Sequence, residues 1–212
     1  MNDPIDFYFD FISPYAYIAS TQIDAIAARH GRTVTWRPVL IGVTIMKVMG
    51  IKPLTETPVK SDYLRHDAPR MAKIYGVPFK YHGLGGINSL AACRAFLWIA
   101  REDGDLALRF ARRIFERLWV DGLDITPVED VAAEAAALGV DGRALLNTIL
   151  LPEGKRPLNV AVDEAIGRGV FGVPFFIADG EPIWGGDRLW MLEHWLTHKS
   201  WDGAGARVLA KS

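Results

Sequence analysis

The sequence is poor in cysteine: Cys93 is the single one in 212 residues. One thiol makes no intramolecular disulfide and no cysteine-based zinc site. The chain also lacks an excess of either charge. Its 24 Lys and Arg stand against 25 Asp and Glu, for a formal net charge of −1. No overall field is present to gather nucleic acid or an anionic membrane surface. Long apolar runs are missing, and none approaches the roughly 20 residues of a membrane span. The opening residues, MNDPIDFYFDF, carry acids and no basic segment, unlike a secretory signal. A cytoplasmic protein that binds neither nucleic acid nor membrane is the expectation. Histidine is scarce as well, at five residues. His194 and His198 stand four apart on an expected helix, but two imidazoles without a third ligand read as surface residues, and no metal is expected.

What is present is a core-forming composition, 50% hydrophobic and 23% charged, with strand texture at the two ends and helix texture between. Residues 5–12, IDFYFDFI, alternate, with Phe7, Phe9 and Phe11 on one face, which predicts a strand. Ser13-Pro14 follows as N-cap and N1, opening a helix over 15–30 that Gly31 ends. A second strand is predicted over 33–40. Strand, helix and strand in about forty residues form a right-handed βαβ unit. Residues 41–62 are irregular. Helices are predicted over 62–75 (with Pro69 as a break or a second start), 88–102 and 104–120. The next starts at Thr126, with Pro127 at N1 and Glu129 closing a capping box. Two short helices follow at 142–150 and 157–167. The strands then return at 173–178 and 181–184 around Asp179-Gly180, a strong hairpin signal. A helix over 187–199 closes the fold, and 200–212 reads as a loose tail. The expected domains are 1–40 with 168–212, interrupted by a helical insert at 41–167.

Three features converge on a resemblance. Ser13-Pro14-Tyr15-Ala16 joins the first strand to its helix, Gly172-Val173-Pro174 enters a later strand, and Trp184-Gly185-Gly186-Asp187-Arg188-Leu189 precedes the last helix. This order is similar to the α/β thioredoxin-like fold of the DsbA type, a βαβ-ββα layer with inserted helices. In that fold a cis proline faces a Cys-x-x-Cys, and here that slot reads Ser13-Pro14-Tyr15-Ala16. With both cysteines gone, disulfide chemistry of that kind is excluded. The pattern FDFxSPYxY, with GVFGVPFF and WGxDRL, resembles instead the 2-hydroxychromene-2-carboxylate isomerases and the kappa-class glutathione transferases, over nearly the whole chain.

The resemblance implies a glutathione cofactor and a homodimer. Ser13 would be the catalytic residue, hydrogen-bonding the glutathione sulfur, with Pro14 and Tyr15 beside it. Val173, before a cis Pro174, would pair its backbone with the cysteinyl unit. Gly186 and Asp187 would hold the γ-glutamyl end, with Trp184 and Gly185 close by. Lys60 and Asn88 would face a small aromatic carboxylate substrate. Family members often carry Asn after the glycine of the preceding loop, whereas Ile51 follows Gly50 here. The implied activity is the isomerisation of 2-hydroxychromene-2-carboxylate to trans-o-hydroxybenzylidenepyruvate, a step of aromatic hydrocarbon degradation. The alternatives are a kappa-like transferase or peroxidase that consumes glutathione, and a thioredoxin-fold binding protein without chemistry.

Plainer readings stand beside these. Ser13 and Asn88 serve as helix caps, Asp187 as the cap of the last helix, Lys60 as a solvated loop residue and Trp184 as core. Val173-Pro174 serves as an ordinary strand entry, and Cys93 as a buried apolar residue. Gly83-Leu84-Gly85-Gly86 does not join a strand to a helix and makes a poor dinucleotide loop.

Overall fold

The computed structural model describes residues 3–44, 48–52 and 54–205. Pro53, within the expected irregular stretch, and residues 206–212 of the expected tail lie outside these. The sheet has four strands in the order β2-β1-β3-β4: β1 (Ile5–Phe9), β2 (Val34–Pro38), β3 (Phe175–Ala178) and β4 (Glu181–Trp184). β1 and β2 run parallel, while β3 is antiparallel to both β1 and β4. This is the expected α/β layer, and every residue of β1 is buried. Phe7 stacks on Phe9 and on Phe176 across the strand pair, with Trp36 edge-on. The Asp179-Gly180 hairpin forms as expected, both residues having positive φ (54° and 84°).

Several boundaries differ from the expectation. The first helix is two, α1 (Pro14–Ser20) and α2 (Ile23–Arg29). The Ser20 and Thr21 hydroxyls donate back to the Tyr17 and Ile18 carbonyls, which diverts the ladder at the end of α1. After the short α3 (Ile41–Thr44), α4 (Lys60–Ile74) runs unbroken through Pro69. α5 (Leu90–Ala100) and α6 (Gly104–Glu116) follow, and α6 continues into a π turn at Arg117–Asp121. α7 is Val128–Ala137. Its N-cap is Pro127, and the expected capping box is absent because the Thr126 hydroxyl instead accepts from the Asn88 N–H at 3.0 Å. α8 (Gly142–Leu150) stands as expected.

α9 begins at Pro152, not 157, and runs to Gly167 with Pro157 inside it. Gly154 lies so close to the Thr148 and Ile149 backbone that any Cβ there would overlap it, so the first turn of α9 packs on the end of α8. α10 (Leu189–His198) is preceded by a 3-10 turn at Gly186–Arg188.

One hydrophobic cluster runs from the strands into the helical block. Phe9 meets Phe96 of α5 and Phe115 of α6, and the buried Trp119 indole donates to the Phe11 carbonyl at 2.8 Å. The start of the tail is anchored: Trp201 packs on Trp195 and donates to Glu181. Its ring also stacks on His194, which is 5% exposed and so is not the surface residue expected. Among the described residues no cluster fits a metal ion, and no helix is long and apolar enough to cross a membrane.

Candidate functional site

The chain turns sharply after β1. The Ser13 N–H donates to the Asp10 carbonyl at 3.0 Å, and Ser13 takes an extended backbone (φ −94°, ψ 115°). Its Oγ accepts from the Ala16 N–H at 3.2 Å, while Pro14 sits at N1, where no donor is needed. The capping reading of Ser13 therefore holds. The same hydroxyl donates to the Val173 carbonyl at 3.4 Å, 160 residues away, and Ser13 is only 6% exposed.

The Val173-Pro174 peptide is cis. The Pro174 carbonyl accepts from the Gly185 N–H at 2.9 Å, which ties the start of β3 to the turn after β4. Gly185 has φ 112°, a backbone conformation that suits glycine. A Cβ on Gly186 would come within 3.3 Å of the Tyr15 carbonyl oxygen and 3.7 Å of Pro174. Tyr75, just past α4, donates its hydroxyl to the Gly186 carbonyl at 3.3 Å. Ser13, Tyr15, Val173, Pro174, Gly185 and Gly186 thus form one cluster, with Pro14 buried at its edge. The Tyr15 hydroxyl donates to Asp67 of α4 at 2.7 Å. Burial, then Asp67, pushes the Tyr15 phenol well up, so it stays a neutral donor. Burial also raises Tyr75, and Asp187 is a lesser cause for both phenols. The Asp187 side chain is 63% exposed and pairs loosely with Arg188 at 3.8 Å. It does not cap α10, whose N-cap is Arg188.

Trp184 is not core. The residue is 45% exposed, and its ring lies against Gly172 and meets Phe171 edge-on at 4.9 Å. The Arg188 guanidinium sits over it. A groove of about 390 Å³ runs along β4 between Trp184, Arg188, Met191 and Trp201, and Ser13 does not line it.

Behind Ser13 lies a residue that sequence reasoning did not single out. Asp10 is 1% exposed. Its carboxylate accepts from the Ile12 N–H (3.2 Å), the Ile41 N–H at the start of α3 (2.8 Å) and the Ser89 hydroxyl before α5 (2.5 Å). Burial pushes its pKa up, against these hydrogen bonds. The available signal was an acid between Phe9 and Phe11, three residues before Ser13. Cys93 is buried as expected, and burial together with the Asp10 charge raises its thiol, so it is no nucleophile.

Lys60 and Asn88 are exposed. Lys60 is the first residue of α4, about 10 Å along the helix from Asp67 at 1.5 Å per residue. Val59 before it has φ 71°, a strained conformation for a β-branched residue. The Asn88 side chain accepts from the Leu90 N–H at 3.2 Å, so it does act at the helix start, although the N-cap position itself is Ser89. Among the described residues no hydrogen bond or ion pair joins Lys60 or Asn88 to the Ser13 cluster. Ile51, which follows Gly50, is 51% exposed.

A β-α-β, helices, β-β-α order, with a cis proline facing the first helix across the sheet's end, defines a thioredoxin-like fold of the DsbA type. Residues 4–197 match the family model described as a DSBA-like thioredoxin domain, and the chain belongs to that family. The 2-hydroxychromene-2-carboxylate isomerase of Sphingobium xenophagum is 31% identical over 92% of this chain and 99% of its own. Glutathione S-transferase kappa 1 of Homo sapiens is 26% identical over 94% and 92%. The solved structure of a 2-hydroxychromene-2-carboxylate isomerase superposes with a TM-score of 0.83 at 27% identity, covering 95% of this chain and 98% of that one. Relatives that are isomerases and glutathione transferases make this an enzyme of that family.

Proposed function

We propose that the protein is a glutathione-dependent isomerase of the 2-hydroxychromene-2-carboxylate type, acting in the cytoplasm as a homodimer. The observation that carries the reading is Ser13: a buried hydroxyl, not a thiol, in the Cys-x-x-Cys slot opposite Val173-Pro174. The groups present fit a γ-glutamyl-cysteinyl ligand. A hydroxyl donor serves the sulfur, the Val173 backbone serves the cysteinyl amide, and the exposed Asp187 carboxylate serves the α-ammonium. Gly186 leaves room where a Cβ would crowd Tyr15 and Pro174.

A thiol with a pKa near about 8.5 is only a few per cent thiolate at pH 7, and ionising half of it takes about 2 kcal/mol. A hydrogen bond donated to a charged sulfur is worth ~1.5–3 kcal/mol. Ser13 supplies that donor without ionising, because a hydroxyl donates once and accepts twice. It accepts from Ala16, and its proton, which rests on the Val173 carbonyl without ligand, turns to the sulfur. With α1 only seven residues long, the hydroxyl rather than the helix dipole carries most of this stabilisation. Glutathione supplies a sulfur nucleophile that adds to the substrate and leaves again, so that it is regenerated. Tyr75 stays neutral and donates to the Gly186 carbonyl, and the neutral Tyr15 donates to Asp67 of α4. Lys60, at the start of α4, would meet the substrate carboxylate, with Asn88 as a second substrate contact.

The test is turnover of 2-hydroxychromene-2-carboxylate, followed optically, with free thiol counted before and after. Conversion that needs glutathione and leaves the thiol count unchanged supports the isomerase. Loss of thiol in proportion to product favours the kappa-like transferase, the reading supported by the 26% identical human relative. No turnover and no glutathione binding leaves a binding protein.

A further inference from the structure

We propose that the Ser13 hydroxyl and the Val173 carbonyl form a switch that activates only a thiol carried on a peptide backbone. This rests on the glutathione reading above. The hydroxyl has one proton to donate, and in the unliganded protein it is committed to the Val173 carbonyl. One of its two acceptor sites is used by the Ala16 N–H. A sulfur entering the site therefore meets a hydroxyl whose proton is directed elsewhere.

The commitment is weak. At 3.4 Å the contact is well beyond the roughly 2.7–2.8 Å of a good hydroxyl bond. A stronger donor on the same carbonyl displaces it. The cysteinyl N–H of glutathione is such a donor. Once it occupies the Val173 oxygen, Ser13 turns its proton to the sulfur, and the thiol proton passes to solvent. Both residues are 6% exposed, so water is a poor substitute for either partner. Thiol activation is thereby coupled to backbone recognition, and a small thiol without the amide gains little. The ionisable groups around the pair are Asp10, Tyr15, Tyr75 and Asp187. They are common to every ligand compared, so they drop out of the comparison.

The test measures the pKa of the bound thiol, by thiolate absorbance, for glutathione and for its near-isosteric ester analogue in which oxygen replaces the cysteinyl N–H. Each is bound to wild type and to Ser13→Ala. For glutathione, Ser13→Ala should raise the bound pKa by about one unit, tenfold in the thiolate-to-thiol ratio. For the ester, wild type should already show the raised value and Ser13→Ala should not move it. An ester thiol acidified by Ser13 as fully as glutathione's overturns the switch. If the ester does not saturate, γ-glutamyl-alanyl-glycine decides: it offers the same N–H and no sulfur. It should bind Ser13→Ala a few-fold more tightly than wild type, because no contact with Val173 has to be broken. Equal or weaker binding overturns the switch and leaves the glutathione reading in place. Failure of both glutathione and the alanyl tripeptide to bind either protein overturns the two together.

Discussion

The two sides of the candidate site are built in opposite ways. On the sheet side, Asp10, Ser13, Val173 and Gly186 are buried and joined by hydrogen bonds that run between distant parts of the chain. On the helical side, the approach to α4 exposes Val48, Met49, Ile51, Leu54 and Val59, and Lys60 stands in solvent. Under the glutathione reading the buried side acts on the sulfur, and little can change there without cost to the fold. The exposed side can change cheaply. Under the glutathione reading, it is where relatives that share a sulfur site would diverge in substrate, and Ile51 lies there.

The largest effect is expected at the centre of the buried side. Asp10→Ala leaves the Ser89 hydroxyl and the Ile12 and Ile41 N–H groups without their acceptor. The loss should be about 3 kcal/mol or more in urea denaturation. Asp10→Asn adds a pH signature. Burial raises the folded-state pKa above the unfolded one. The stability from this proton is therefore fully present below the ordinary carboxylate pKa and is lost as pH rises through the raised value. The stability advantage of wild type over Asp10→Asn should shrink as pH climbs through that range. A gap that widens would contradict the burial account.

Next comes Ser13→Ala, which should lower glutathione-dependent turnover about ten- to a hundredfold, the rate equivalent of a hydrogen bond to a charged group. Loss of the cap should cost only about 1 kcal/mol of stability. Activity lost in step with folding would make Ser13 a cap alone. On the other side, Val59→Gly should be neutral or stabilising by up to about 1 kcal/mol in thermal melts, because glycine relieves the positive φ. Lys60→Ala is expected to be smallest. Stability should stay within about 0.5 kcal/mol, and KM for the aromatic carboxylate should rise no more than about fivefold, the worth of an exposed ion pair.

The features readable from the sequence were those whose causes are local. Ser13 caps through Ala16, three residues on, and Asp179-Gly180 turns because those two residues accept positive φ. What escaped was decided at a distance. The break after Ser20 leaves the apolar pattern untouched, so periodicity alone runs through it. Thr126 looked like a cap until Asn88 claimed its hydroxyl, and α9 starts early because Gly154 lets it lie on α8. Asp10 read as one more strand acid, since its partners are 31 and 79 residues away. The cis form of Val173-Pro174 was legible through the resemblance and not through the residues themselves.

The most direct measurement is a pH titration of thiolate absorbance for glutathione bound to wild type and to Ser13→Ala. The account expects a wild-type bound thiol below the free value of about 8.5, moving back up by about one unit or more in the variant. An identical pKa in both proteins would contradict it, and would leave Ser13 as the cap of α1.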